Sequence, residues 1–314
     1  MIKFLDLQNS LKDNDFAAFC IYGNDPWVRR KALARICQWA DVTDDMGVDY
    51  LDNPTADDIA FACLTPSMFC AKKVVVCQNL PTAEGKGNQI KQKLAKIIEQ
   101  YDGSFCLVVE TENKPLDVSG MEAIDCNKLS SSSVSGWIVA YAKRQGVVVE
   151  RMCADQIAAY CLCDMARVEM EIQKLIDYGE VTPQSIEQLV HKDAEYVVFD
   201  LSKVIANKNA TRALELYRGL IASGESHFGL FGLLYNFYRR VYYIKISQFT
   251  PEELASMLGV KAGAINFTRE FAQKYKPMQL KRALDCFAVA DAKLKTFVDD
   301  DEVMTTLILQ LVSL

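Results

Sequence analysis

Three short runs of almost wholly apolar residues stand in the first third of the chain and constrain its fold more than any other feature. They occupy residues 19–22, 74–77 and 105–109, and polar turn residues flank each run. Runs of this length without polar alternation are typical of strands that are buried on both faces of a parallel sheet. Amphipathic helical patterns at 27–36 and 90–98 separate the runs. Strands that alternate with helices predict an α/β domain.

The pattern changes after Asn127, where the strand signals end. Four serines at 130–133 indicate a linker or a helix cap, and nearly everything that follows has a helical pattern. Thr182 followed by Pro183 predicts the start of one such helix. Further breaks between helices are predicted at Gly224, Pro251, Gly259 and Pro277. The second part of the chain is therefore predicted to be helical.

An α/β domain followed by helices is the layout of AAA+ ATPases, in which a phosphate-binding loop follows the first core strand. At this place, residues 23–30 read Gly-Asn-Asp-Pro-Trp-Val-Arg-Arg. Gly23 is kept, but Val28 and Arg29 stand where the second glycine and the lysine are required, and no hydroxyl follows. Asp25 adds negative charge beside the expected phosphates. The loop is degenerate, and we expect no nucleotide cofactor and no ATP hydrolysis.

The acidic pair that would hold magnesium at the end of a neighbouring strand is also missing. Glu110 stands alone at the end of the third apolar run, where a turn or capping role is the simpler interpretation. The chain has only two histidines, and its eleven cysteines are irregularly spaced and stand largely among apolar residues. Reduced cysteines serve there as small hydrophobic side chains, whereas zinc needs about four converging ligands. No metal site is predicted.

The charge of the chain is unevenly distributed and nowhere strongly basic. Residues 1–208 hold 22 Lys and Arg against 30 Asp and Glu, and residues 209–314 hold 13 against 11. A dedicated nucleic-acid binder carries a basic surface, so any contact with DNA would be shared with partners. No apolar run approaches the roughly 18 residues that span a bilayer, and the N-terminus lacks a secretory pattern. We expect a cytoplasmic protein that does not enter a membrane.

Several segments, in order, resemble the delta subunit family of the bacterial DNA polymerase III clamp loader. Residues 21–25, Ile-Tyr-Gly-Asn-Asp, resemble the opening strand and turn of that family. Residues 64–76 resemble its clamp-binding helix running into a strand, with Met68-Phe69 where the family often has Leu-Phe. The segments that resemble its later helices are 164–175, 199–214, 254–260 and 290–295. Their order and spacing extend over nearly the whole chain.

The resemblance implies three domains and a mechanical role. It implies an α/β AAA+-like domain without a phosphate loop at residues 1–133, a small helical lid domain at 134–194 and a C-terminal all-α collar at 195–314. Met68 and Phe69 would insert as a wedge into a hydrophobic pocket of the ring-shaped sliding clamp and help to open it. The collar would join ATP-binding loader subunits and a delta-prime subunit, and primed DNA would be met only within that complex. The chain itself would catalyse nothing.

Simpler interpretations of individual residues remain open at this point. Met68 and Phe69 could pack in a core, although Thr65-Pro66 breaks the preceding helix there and exposed apolar residues at a break suggest an interface. The lysines 86, 91, 93 and 96 could form a solvated helix face or a share of a DNA surface. The aromatic stretch at 234–243 could be bundle core or could stack on bases.

Two alternative functions belong to other classes. The chain could be another degenerate AAA+ loader subunit such as delta prime, although it has no Ser-Arg-Cys motif that would supply a trans-acting arginine. It could also be a structural helical scaffold, which would leave the α/β domain without a purpose. Only the delta interpretation predicts a tight complex with a sliding clamp in the absence of ATP.

Overall fold

The structure, a computed structural model, describes residues 1–12, 14–42, 47–68, 70–80, 87–112, 114–258, 262–296 and 299–314. Its strands are β1 (Ile2–Lys3), β2 (Ala18–Tyr22), β3 (Val48–Asp52), β4 (Lys73–Gln78), β5 (Phe105–Thr111) and β6 (Met121–Asp125). The helices of the first half are α1 (Leu7–Ser10), α2 (Pro26–Trp39), α3 (Ala56–Leu64), α4 (Gly87–Glu99), α5 (Ser131–Arg144) and α6 (Arg151–Tyr160). Those that follow are α7 (Met165–Tyr178), α8 (Pro183–Leu189), α9 (Ala194–Ala206), α10 (Ala210–Ala222), α11 (His227–Ile246), α12 (Pro251–Leu258), α13 (Ala262–Gln273), α14 (Pro277–Leu294) and α15 (Asp300–Ser313).

The six strands form one parallel sheet in the order β1-β6-β2-β5-β4-β3. The three apolar runs of the sequence are β2, β4 and β5, and in each of them nearly every residue is buried. Ala18 of β2 lies opposite Leu107 of β5 on one side and Met121 of β6 on the other. The predicted α/β fold with a parallel sheet is confirmed.

The start of a helix is fixed locally by a side chain that accepts hydrogen bonds from the first free N–H groups of the helix. Ser130 accepts a hydrogen bond from the Ser133 N–H and caps α5, so the serine run is a cap. Thr182 forms a capping box with Ser185 at the start of α8, with Pro183 in the first helical position. Thr55 makes the same box with its third neighbour in α3.

The chain divides into two compact units, and the division passes through α7. The first unit comprises residues 1–151 and 163–173 and contains the sheet. The second comprises residues 152–162 and 174–314. The predicted three-domain division at residues 133 and 194 is a finer statement, which these units do not test, and it stays a prediction.

The second unit is built around a helical core rich in aromatic side chains. Tyr217, Tyr238 and Phe287 are among its largest fully buried residues. The aromatic stretch of α11 contributes to this core through Phe237 and Tyr238, as the core interpretation predicts, while Tyr235 and Tyr243 are partly exposed. None of the described helices combines the length and the apolar character that spanning a bilayer requires.

All eleven cysteines are free thiols, and seven of them are buried. Burial raises the pKa of Cys63, Cys77 and Cys126 from the ordinary value of 9.0 to about 12, because the low-polarity interior disfavours the thiolate. The folded state therefore favours the neutral thiol. This contribution to stability is complete below about pH 9 and is lost as the pH rises towards 12.

We expect the free energy of unfolding in urea to fall steadily between pH 9 and pH 11. Replacing Cys77 with Ala should make that fall shallower, because one titrating thiol is removed from the interior. The difference between the two pH profiles isolates the thiol from tyrosines that titrate in the same range. Identical slopes for the wild type and Cys77→Ala would contradict the assignment.

Candidate functional site

The turn at the carboxyl end of β2 lies where a phosphate-binding loop would stand. Gly23 has a φ of +137°, and a Cβ atom at this position would lie 2.2 Å from the carbonyl carbon of Cys126, so only glycine fits. The Gly23 N–H donates to the Thr111 carbonyl at 3.4 Å, and the Asp25 N–H donates to the Cys126 carbonyl at 3.3 Å. The glycine kept from the phosphate-loop pattern therefore serves close backbone packing.

The start of α2 is capped by the protein itself. One carboxylate oxygen of Asp25 accepts hydrogen bonds from the N–H groups of Trp27 at 3.0 Å and Val28 at 3.1 Å. Pro26 has no N–H to offer, and the Arg29 N–H donates to the Asp25 carbonyl at 3.1 Å. Every N–H of the first turn that could hold a phosphate is thus already used. Asp25 provides the negative charge that a helix N-terminus attracts.

The side chain of Trp27 fills the space beside this turn. The indole is only 4% exposed and packs edge-on against Trp137 and Phe4, with ring centroids at 5.3 and 6.0 Å. Its Nε1 donates to Glu169 at 2.8 Å, and Lys31 Nζ reaches the other oxygen of the same carboxylate at 2.6 Å. Bulky apolar packing and an ion pair stand where a nucleotide would need open space.

The polar residues at the strand ends bond to one another. Glu110 at the end of β5 accepts a hydrogen bond from the side chain of Gln78 at the end of β4, at 3.0 Å. Asn79 likewise donates to Asp52 at 2.7 Å. Glu110 is thus bonded to a neighbouring strand end, and it lies within β5, one residue before that strand ends, rather than in a turn. The described residues contain no group of three His, Cys, Asp or Glu side chains arranged to hold a metal ion.

The segment between α3 and β4 carries the predicted wedge. The helix ends at Leu64, and Thr65 closes it by bonding to the carbonyl of Phe61 through both its N–H and its hydroxyl. Met68 lies beyond this break and is 92% exposed, so it does not pack in the core. Phe69, the other residue of the predicted pair, lies outside the described residues.

Two further apolar side chains near Met68 were not predicted from the sequence. Phe61 is 75% exposed and Leu64 is 46% exposed. Both lie on α3 away from the buried side that Ile59 and Cys63 form. Their three-residue spacing, off the buried face, is the sequence signal that could have identified them. Phe61, Leu64 and Met68 are exposed apolar residues at one end of α3, and we call them the exposed apolar group.

The basic helix α4 has ordinary surface chemistry. Lys93 forms an exposed ion pair with Asp57 of α3 at 3.0 Å, and Lys96 is exposed. Lys86 lies outside the described residues. Exposed pairs of this kind contribute little to stability, so the lysines fit the interpretation as a solvated face.

Comparisons with known proteins point to one family. The family model described as DNA polymerase III, delta subunit, matches residues 19–121, and the one described as DNA polymerase III delta subunit, C-terminal domain, matches residues 195–311. Together they match more than two thirds of the chain. A DNA polymerase III subunit delta of Bacillus subtilis is 22% identical and aligns over 97% of this chain and 95% of its own length.

More distant and structural relatives agree. A probable DNA polymerase III subunit delta of Aquifex aeolicus is 19% identical over 89% of this chain and 85% of its own. Among solved structures, the Bacillus subtilis DNA clamp loader delta protein superposes with a TM-score of 0.75 at 20% identity, covering 99% of both chains. The chain therefore shares the fold of that protein from end to end.

Proposed function

Because the chain belongs to the DNA polymerase III delta subunit family, as a clamp-loader subunit, we propose that it binds and opens the ring of a sliding clamp. The names of the family models and relatives favour delta over delta prime. In this proposal the chain is a component of the replicative machinery that acts in the cytoplasm and loads the clamp on primed DNA. Its part in loading is mechanical.

The observation that carries the proposal is the exposure of Met68 beyond the end of α3. An apolar side chain left 92% exposed contributes little to the fold but is available to a partner. Phe61 and Leu64, in the last turn of α3, are two further exposed apolar side chains. Transfer of each such side chain from water into a pocket is worth roughly 1.5–3 kcal/mol. We assign clamp binding to Met68 and Phe69, with Phe61 and Leu64 as their neighbours.

The proposal includes the absence of intrinsic catalysis. Asp25 occupies the N–H groups of Trp27 and Val28, and the Trp27 indole fills the adjacent space. These contacts support a chain that neither binds nor hydrolyses ATP. The energy for loading would then come from ATP-binding partner subunits. The helical region that matches the C-terminal family model at 195–311 would form the collar that joins these subunits and delta prime.

The proposal is tested by mixing the purified chain with a bacterial sliding clamp on a sizing column. We expect a stable complex in buffer without nucleotide, eluting at the same volume when Mg-ATP is present. A clamp alone and the chain alone are the reference runs. If a complex forms only with Mg-ATP, or no complex forms, the proposed role as a nucleotide-independent clamp binder is wrong.

A further inference from the structure

The segment that carries Met68 is fastened at both ends. At its start, Thr65 closes α3 through bonds to the Phe61 carbonyl. At its end, Lys72 immediately precedes β4 at the amino edge of the sheet. A binding segment that is already held in its bound conformation avoids the entropic cost of ordering at the moment of binding. The contacts of Lys72 therefore bear on how the exposed apolar group is presented.

Lys72, Asp15 and Tyr101 form a closed triangle of polar contacts. Its Nζ donates to Asp15 Oδ1 at 2.7 Å and to the Tyr101 hydroxyl at 2.8 Å. The Tyr101 hydroxyl in turn donates to the same oxygen of Asp15 at 2.8 Å. The ammonium group also lies 4.3 Å from the ring centroid of Trp39, close enough for a cation–π interaction. The Lys72 side chain is only 18% exposed, which is low for a lysine.

The three partners come from separate parts of the first unit. Asp15 precedes β2, Tyr101 precedes β5, and Trp39 is the last residue of α2. Lys72, the last residue of the segment between α3 and β4, is thus joined to three parts of the first unit that are distant in the sequence. The pKa of Asp15 is lowered by its hydrogen bonds from Lys72 and Tyr101. Burial opposes the charge of Lys72, but its bonds to Asp15 and Tyr101 outweigh this and raise its pKa. Both groups keep their charges at neutral pH.

We propose that Lys72, held by Asp15, Tyr101 and Trp39, is a positioning residue that keeps the segment between α3 and β4 in its clamp-binding conformation. The inference rests on the proposed function and adds a residue that need not touch the clamp. Without the triangle, the segment samples other conformations and only a fraction stays competent. If that fraction falls to about one tenth, the apparent dissociation constant for the clamp rises about tenfold.

The test uses the whole 314-residue chain with Lys72→Met, which keeps an unbranched side chain of similar length and removes its charge. Lys31→Met is the matched control, because Lys31 also pairs with a carboxylate and lies over a tryptophan ring, 5.4 Å from the centroid. We expect Lys72→Met to weaken clamp binding about tenfold and to speed amide hydrogen exchange at residues 65, 67, 68, 70 and 71. Lys72→Arg, which keeps the charge, should recover most of the affinity. Lys31→Met should do neither.

The outcomes separate the positioning role from the proposed function. If Lys72→Met binds the clamp like the wild type while Met68→Ala loses binding, the positioning proposal is wrong and the function stands. If Met68→Ala also binds normally, the assignment of the wedge itself fails. If Lys72→Met and Lys31→Met lose affinity equally, and each loss follows the fall in melting temperature of that variant, Lys72 stabilises the fold in general and the positioning proposal is wrong. Should Lys72→Met fold poorly, Tyr101→Phe removes one corner of the triangle and is expected to give the same exchange signature with a smaller loss.

Discussion

Replacing both Met68 and Phe69 with alanine is expected to weaken binding of the sliding clamp by roughly 30- to 1,000-fold. Central apolar anchors of an interface cost about 2–4 kcal/mol when truncated. Met68 is exposed in the free chain, so its burial would occur only in the complex. Titration calorimetry or surface-based binding with the purified clamp gives the affinities. Met68→Ala alone measures how much of the loss of affinity is due to Met68.

If the wedge assignment is right, the same double variant should keep the melting temperature of the wild type within a few degrees, because side chains that are buried only against the clamp add little to the core of the free chain. A core interpretation demands the opposite, since truncation of a buried phenylalanine typically costs about 3–5 kcal/mol of stability. Met170→Ala is the matched control, as Met170 is 72% exposed on α7, outside the exposed apolar group. Unchanged affinity in the double variant, or lost affinity together with a large fall in melting temperature, would reject an independent wedge.

Trp27→Ala is expected to lower the free energy of unfolding by about 3–5 kcal/mol. The variant removes a buried indole that packs against Trp137 and Phe4 and leaves a cavity beside the first turn of α2. It also removes the hydrogen bond from Nε1 to Glu169. The carboxylate of Glu169 then keeps its ion pair with Lys31. Urea denaturation followed by circular dichroism measures the change.

Trp27→Phe separates packing from hydrogen bonding at the same position. The ring is kept in part, but the N–H is lost, and a hydrogen bond to a charged group contributes about 1.5–3 kcal/mol. We therefore expect the free energy of unfolding of Trp27→Phe to lie between those of the wild type and Trp27→Ala. If Trp27→Ala costs less than about 1 kcal/mol, the indole does not make the buried packing contacts with Trp137 and Phe4 that fill the space beside the turn.

The fold was predictable where burial makes a strand apolar along its whole length. β2, β4 and β5 lie in the middle of the sheet and could be read directly from the sequence. β6 was missed because its residues are mostly half-buried and include Glu122 and Asp125, so it has no continuous apolar run. β3 at the edge has the same mixed character, with Asp49 and Asp52 exposed, and β1 has only two residues. Edge positions relax the demand for apolar residues and weaken the signal.

The candidate sites were predictable only as far as local residue types decide them. Val28 and Arg29 at phosphate-loop positions were sufficient to predict a degenerate loop. The bond between Trp27 and Glu169 joins residues 142 positions apart, and no local pattern announces it. The same holds for the triangle of Lys72, Asp15 and Tyr101, which exists only because parallel strands begin at one edge of the sheet.

The cap that Asp25 places on α2 has a consequence for how this fold depends on the cell. A helix N-terminus that waits for a soluble phosphate is stabilised in proportion to the supply of that ligand, by RT ln(1 + [L]/Kd). Asp25 is an anion tethered to the helix by the chain itself, and it cannot diffuse away. The N–H groups at the start of α2 therefore keep their hydrogen-bond acceptor whatever the concentration of phosphate compounds in the cell. The first turn of α2 thus does not depend on the ATP concentration for its stability, and under the proposed function any response of clamp loading to ATP would come from partner subunits.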